Sequence, residues 1–309
     1  MNKERMGHVA ILMGAYNGER YLTAQLQSFL AQSYENWSLH VSDDGSSDGT
    51  QLLLQDFQNE NDRPVKVVDG PQRGFCHNFL SLLCSAEIEA DYFCFSDQDD
   101  VWHADKLSRA LSWLRTQPAN VPALYCSRTH LVDDGGNSLG FSPLFTRAPS
   151  FSNALVQSIG GGNTMVMNRA AREVCQQAGC VDVVSHDWWV YIATAAVGGR
   201  VYYDAQPSLD YRQHGNNIVG SNMSWQARLE RVKMLKRGRF KQWGAQHLRA
   251  LQSIVPLMPE RNQAVLTEFE RVHHGNLLSR LAAFRDGNFY RQTRLGNAGL
   301  LAAALFNKI

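Results

Sequence analysis

No segment of this chain is apolar over the roughly 20 residues that a bilayer-crossing helix requires. The longest apolar run, Ala298 to Phe306, is far too short. The start of the chain, Met1 to Gly7, is polar and lacks the apolar stretch of a secretory leader. Cysteine is sparse, with six residues at 76, 84, 94, 126, 175 and 180 and no C-x-x-C pair. Several stand inside apolar runs such as Tyr92-Phe93-Cys94-Phe95, so they read as reduced core residues in a reducing compartment. Internal repeats and low-complexity tracts are absent, which excludes a repeat array. Together these absences point to a cytoplasmic protein.

Present instead are 309 residues, 44% of them hydrophobic and 10% aromatic. That composition belongs to a globular chain with a large core, either one big domain with an appendage or two small ones. Net charge is only +1, but it is unevenly spread: Ser224 to Ile309 carries 15 Lys/Arg against 5 Asp/Glu, and the remainder carries 15 against 24. An acidic body with a basic tail suggests a division of labour.

Short apolar runs alternate with helical patterns. Val9 to Met13, Trp37 to Val41, Val65 to Val68 and Tyr92 to Phe95 read as buried strands. Between them, helical spacing is carried by Leu22, Leu26, Phe29 and Leu30, by Thr50 to Phe57, and by Phe75 to Ser85; Asp105 to Thr116 follows. This order predicts an α/β fold with a mostly parallel sheet flanked by helices. Leu124 to Ser127, Thr164 to Met167 and Val201 to Tyr203 add strands, and Arg169 to Ala178 and Asp187 to Val197 add helices. From Trp225 the pattern is helical and basic, broken at Pro256 and Pro259. The expected division is residues 1–224 as the main domain, with a nucleotide-binding half over about 8–118 and an acceptor half over about 119–224, and residues 225–309 as a C-terminal helical extension.

Polar clusters follow three of the strands, at Tyr16, Asp43 and Asp97, where parallel sheets bind ligands. Asp97-Gln98-Asp99-Asp100 sets three carboxylates within four residues. Their repulsion is relieved by a hard divalent cation, Mn²⁺ or Mg²⁺, that also takes substrate phosphates; an acidic solvated turn is the plainer alternative. Asp43-Asp44 can accept hydrogen bonds from a base N–H or a ribose hydroxyl, while Ser46 to Thr50 can also simply cap the next helix. Asp187 opens a helix, as N-caps do, yet it is followed by Trp188 and Trp189, which would desolvate it and offer sugar-stacking faces, a setting for a general base. Arg212 and His214, in Tyr211-Arg212-Gln213-His214-Gly215, can hold phosphate, or His214 can complete a metal shell.

As a set, Ala15-Tyr16-Asn17-Gly18, Ser42-Asp43-Asp44-Gly45-Ser46-Ser47-Asp48-Gly49-Thr50, Phe95 to Trp102 and Asp105-Lys106-Leu107 resemble the family 2 glycosyltransferases of GT-A fold, over about residues 8–220. His186-Asp187-Trp188-Trp189 and Tyr211 to Gly220 resemble its bacterial rhamnosyltransferase-like branch. One departure is Ala104, where a proline is common in the family. The resemblance implies that Ala15, Tyr16 and Asn17 line the nucleotide pocket and Asp43 faces the pyrimidine. Asp97 would approach ribose and metal, Asp99 would be the main metal ligand, with His214 on metal or diphosphate, and Asp187 would be the catalytic base. It implies a single inverting displacement from a nucleotide-diphosphate sugar, dTDP-rhamnose or a UDP-sugar, onto a hydroxyl of a glycan or lipid-linked acceptor in bacterial surface polysaccharide synthesis.

In the basic tail, Arg228, Arg231, Lys233, Lys236, Arg237, Arg239 and Lys241 interleave with Leu229, Val232, Leu235 and Phe240. The expectation is a peripheral contact with the cytoplasmic membrane face, against a solvated helical subdomain or a homodimer interface. The competing classes are a nucleotidyltransferase, whose Gly-rich basic phosphate loop is poorly matched by Ala15 to Arg20, a nucleic-acid binder using the basic tail, which leaves the acidic clusters unexplained, and a catalytically dead sugar binder, which measured donor hydrolysis or transfer would exclude. No nucleic-acid partner is expected.

Overall fold

The computed structural model describes residues 7–214 and 238–309. The polar loop beyond His214 and the basic residues from Arg228 to Arg237 lie outside the described residues.

Four parallel strands form the heart of the molecule: β1 (Val9–Ala15), β2 (Trp37–Asp43), β3 (Val65–Asp69) and β4 (Tyr92–Ser96). The helices α1 (Glu19–Leu30), α2 (Thr50–Glu60) and α3 (Phe75–Cys84) connect them. The chain then passes through β5 (Val101–Trp102), α4 (Lys106–Leu114), β6 (Ala123–Ser127), β7 (His130–Val132), β8 (Ser138–Phe141) and α5 (Phe151–Ala154). It returns through β9 (Val166–Asn168), α6 (Arg169–Ala178), α7 (His186–Ala196), β10 (Arg200–Asp204) and β11 (Leu209–Arg212). The main sheet has 7 strands in the order β10-β6-β9-β4-β1-β2-β3, with β9 antiparallel to both of its neighbours. The architecture is α/β, with a largely parallel sheet flanked by helices, and C-terminal helices follow it.

Side-chain alternation explains why these strands are apolar at nearly every position. Ala10 and Leu12 of β1, with Phe93 and Phe95 of β4, enter one core; Val9, Ile11 and Met13, with Cys94, enter the other. A sheet covered on both faces buries both sets. The strands run up to two residues beyond the apolar runs, so Ala15 and Asp43 stand in the last row of the sheet.

A second sheet, of 4 strands in the order β5-β11-β7-β8, was not foreseen. Its strands are two to four residues long, too short to show a period. Beyond residue 238 the chain forms α8 (Arg239–Leu251), a 3₁₀ turn over Gln252–Leu257 that contains Pro256, α9 (Glu260–His274), α10 (Leu277–Asp286) and α11 (Arg294–Leu305). Leu251, Ile254, Phe269 and Ala304 from these elements join the core that holds Trp189 and Phe95. Among the described residues no helix is long and apolar enough to cross a membrane.

Candidate active site

Strand register brings the three polar clusters to one edge. Ala15 of β1 lies opposite Asp43 of β2, and Met13 lies opposite Ser96 of β4, so the loops that follow leave the sheet side by side. The first two loops are fastened to each other. Asn17, in the left-handed region at φ 48, donates its N–H to Ser46 Oγ (2.9 Å) and accepts from Ser47 N (2.8 Å); Gly18 N donates to Thr50 Oγ1 (2.7 Å). Gln98 clamps the first loop to the third: its Nε2 donates to Tyr16 O and its Oε1 accepts from Tyr16 N, both at 2.8 Å. A Cβ on Gly18 would sit 2.3 Å from that Oε1, which is why glycine stands there.

Asp43 is buried and accepts from Ser46 Oγ and from Gln51 Nε2 (2.6 Å). It borders a cleft of about 250 Å³ that Gln55, Val67 and Asp69 also line. Tyr16 beside it is exposed. Asp44 plays a different part. Its two oxygens accept the backbone N–H groups of Gln72 (2.6 Å) and Gly74 (3.0 Å), pinning the loop after β3. This loop-pinning role stands beside the expected nucleotide contact, since a carboxylate oxygen can accept more than one donor.

Asp97, Asp99 and Asp100 gather where the chain leaves the main sheet for the small one, between β4 and β5. Each offers a carboxylate oxygen within 4.8 Å of the others. Burial, with the charges of Asp99 and Asp187, pushes Asp97 up to about 7. Asp100 is fully buried and is raised well above the usual carboxylate range by burial and by Asp99 and Asp97. Its oxygens accept from Asn163 Nδ2 (2.5 Å) and Arg212 N (3.3 Å). A buried Lys106 stands close by, its Nζ donating to Asn163 O and lying 4.2 Å from the Trp102 ring centre. Burial pulls that ammonium down to about 8.

His214 reaches this cluster through the small sheet. The β5–β11 register, with Asp210 opposite Val101, carries the chain after β11 back along Asp99 and Asp100. His214 Nε2 lies 2.7 Å from Asp99 Oδ2, and its ring stacks on Tyr21 with centroids 4.7 Å apart. Arg212 donates from Nε to Asp99 O (3.1 Å). Carboxylate oxygens gathered within 4.8 Å, with an imidazole at the rim, fit Mg²⁺ or Mn²⁺.

Helix α7 supplies the facing wall. Of its 11 residues, Asp187 alone is not buried. His186 wedges the first turn onto the sheet, stacking on Phe79 (4.0 Å) and meeting Phe95 edge-on (4.7 Å), just before the Asp97 turn. Asp187 is held by the N–H groups of Trp188 (2.7 Å) and Gly162 (3.1 Å) and by Ser185 Oγ (2.5 Å). Oδ1 takes two of these donors and Oδ2 only the Gly162 N–H.

A family model described as Glycosyl transferase family 2 matches residues 10–174, which span the tips of β1, β2 and β4. The chain belongs to glycosyl transferase family 2. It is 30% identical over 236 residues to the dTDP-rhamnosyl transferase RfbG of Shigella flexneri, covering 72% of this chain and 79% of that protein. Over 106 residues it is 31% identical to the UDP-Glc:alpha-D-GlcNAc-diphosphoundecaprenol beta-1,3-glucosyltransferase WfgD of Escherichia coli, covering 34% of this chain and 40% of that one. Among solved structures, S. aureus TarS 1–349 in complex with UDP-GlcNAc superposes with a TM-score of 0.55 at 15% identity, over 91% of this chain and 90% of that one. The mannosyltransferase PcManGT from Pyrobaculum calidifontis, in complex with GDP-Man and Mn2+, gives 0.52 at 19% identity, over 96% and 79%. These likenesses establish the GT-A fold.

Within this family 2 enzyme the paired tryptophans are not where sugar stacking requires them. Trp189 is fully buried, and Trp188 turns inward, its Nε1 donating to Ala154 O (2.6 Å) and its ring meeting His247 and Trp243. Their expected role as acceptor contacts is therefore corrected to core packing. Sequence reading also passed over Gln98, the Tyr21–Asp134 contact beside His214, and the Gly160-Gly161-Gly162 run whose last member contacts Asp187. That triple glycine was the one signal available for the last: a Cβ at Gly162 would meet His186 Nε2 at 2.4 Å.

Proposed function

We propose that this chain transfers a sugar from a nucleotide-diphosphate donor to an acceptor hydroxyl with inversion, using a divalent cation, Mn²⁺ or Mg²⁺. One observation carries the reading: Asp187, the sole unburied residue of α7, is close enough to Asp97 for its charge to raise that carboxyl. A candidate base thus stands near a candidate cation site. Asp97 and Asp99 hold the cation, with His214 at its edge. When bound, the cation neutralises charge on the departing diphosphate.

The rest falls to the chain. Ala15, Tyr16 and Asn17 line the nucleotide side, and the Asp43 carboxylate orients the base. Arg212 sits by Asp99 to accept phosphate charge, which a guanidinium does well. Asp187 receives the acceptor's proton at Oδ2, because Oδ1 is occupied by Ser185 and Trp188. No second carboxylic acid is required, since the leaving group needs no proton, unlike that of a glycoside hydrolase. The likeness to RfbG favours dTDP-rhamnose as donor, with UDP-sugars next, and a glycan or lipid-linked acceptor in polysaccharide synthesis on the cytoplasmic side.

The test is a transfer assay over a panel of nucleotide sugars, read as nucleoside diphosphate release, with Mn²⁺, with Mg²⁺ and with excess EDTA. Donor-specific release that EDTA abolishes and either metal restores supports the reading. Full activity in EDTA sinks the metal assignment; retention of anomeric configuration in the product sinks the single displacement.

A further inference from the structure

The C-terminal helices leave one surface that the cleft does not use. Helix α11 is apolar on both sides. Leu300, Ala303 and Ala304 enter the core, while Leu295, Ala298, Leu301, Leu305 and Phe306 face outward. Leu295 is 74% exposed and Phe306 73% exposed. No charged residue interrupts the chain between Arg294 and Lys308. A helix apolar all round is expected to be covered all round. Helix α10 packs beside the patch: Arg280 Nη2 donates to Leu305 O (3.5 Å), tying its first turn to the end of α11.

The rim of this patch is cationic. Arg294 precedes Leu295 and Lys308 follows Phe306. Lys241 of α8 donates to Asn307 Oδ1 (2.8 Å), beside Phe306. Helix α8 carries Arg239, Lys241 and Arg249 and no acid. From Gly275 to Ile309 the sole carboxylate side chain, Asp286, is paired with Arg285 (2.8 Å).

We propose that the outward face of α11 docks on an anionic lipid bilayer, the apolar side chains entering the headgroup boundary and the flanking cations meeting lipid phosphates. Charge decides between occupants. A second copy would set one cationic rim against another, and a helix of 12 residues, about 18 Å long, is too narrow to supply the roughly 800 Å² per partner of a stable dimer. An anionic bilayer complements both features. No residue of the cleft takes part, so vesicle binding and sugar release are separable readouts.

The experiment is co-sedimentation of the full chain at low salt with vesicles of equal phosphatidylglycerol and phosphatidylcholine, and with phosphatidylcholine alone. Binding to the mixed vesicles and little to the neutral ones is expected. The double variant Leu295→Glu, Phe306→Glu should bind about ten-fold more weakly or worse, since burial of each such side chain is worth that much, with an unchanged unfolding temperature. Leu295→Ser with Phe306→Ser gives the same reading should the charged pair unfold. Absence of binding to anionic vesicles overturns the proposal, as does undiminished binding by the double variants. A wild-type oligomer in solution that the variants dissociate also overturns it, assigning the face to a second copy.

Discussion

Replacing Asp187 with asparagine separates a catalytic carboxylate from a helix cap. Asp187 is the second residue of α7, behind the N-cap Ser185, and asparagine keeps its shape there while losing only its modest charge–dipole benefit. Its oxygen can keep both donors now held by Oδ1, from Ser185 and Trp188. Its NH₂ then faces the Gly162 N–H, which loses its acceptor; that costs about 1–3 kcal/mol of stability. If Asp187 only caps α7, this is the whole effect, and a protein that stays folded keeps its turnover. If Oδ2 removes the acceptor's proton, asparagine has no basic lone pair to offer, and turnover falls by about 10² to 10⁴-fold, equivalent to roughly 3–5 kcal/mol of barrier. The assay is nucleoside diphosphate release under saturating donor, alongside donor affinity and thermal unfolding of the same preparation. Turnover within about three-fold of wild type in a folded variant would refute the base assignment. So would a loss confined to donor affinity.

Three further outcomes follow from the geometry. Asp99→Ala removes a central carboxylate of the cluster and the partner of His214; calorimetry should find donor binding that no longer strengthens on adding Mn²⁺, and an unchanged metal response would contradict the assignment. Gly162→Ala drives a Cβ to 2.4 Å from His186 Nε2 and 3.3 Å from the Asp187 Cβ. It should cost about 1–3 kcal/mol in stability and lower turnover more than donor affinity, read by denaturant melts and kinetics. Burial lowers His247 to about 3 and His186, His40 and His273 to about 4. The unfolded chain therefore takes up protons at these histidines that the folded one refuses, so their contribution to stability is full above about pH 6.5 and declines as pH falls toward 4, while the raised Asp97 and Asp100 carboxyls act in the opposite sense; His247→Leu should make the acid limb of pH-dependent melts less steep than in the wild type.

The parallel half of the fold was legible because burial on both faces writes each strand as a continuous apolar run, as in Val9 to Met13 and Tyr92 to Phe95. Their ends were legible as polar clusters; β1, β2 and β3 pair consecutively, but β4 crosses over to lie beside β1, so the meeting of its tip with theirs depends on a strand order that apolar runs do not encode. The small sheet was not legible: Val101–Trp102 and His130–Val132 are shorter than any period. That sheet nevertheless delivers His214 to Asp99, so the meeting of those residues could not be derived from spacing. Trp188 and Trp189 misled for a related reason. Aromatic residues beside a carboxylate are as well suited to a core as to a sugar, and only the burial of all of α7 except Asp187 decides the question.

The same logic separates the three clustered carboxylates, which look equivalent in the sequence. Asp100 is fully buried, and its two oxygens already hold Asn163 Nδ2 and Arg212 N; those partners come from the neighbourhood of α7 and from β11, the segments that carry Asp187 and His214. It therefore joins the walls of the cleft. Asp97 differs: no side-chain or backbone donor meets its carboxylate among the described residues, and its proton affinity is raised by burial and by two neighbouring carboxylates. Keeping such a group ionised near neutral pH costs free energy that a cation would return. One acid thus builds the wall, and its neighbours at 97 and 99 are left poised for positive charge from outside the chain.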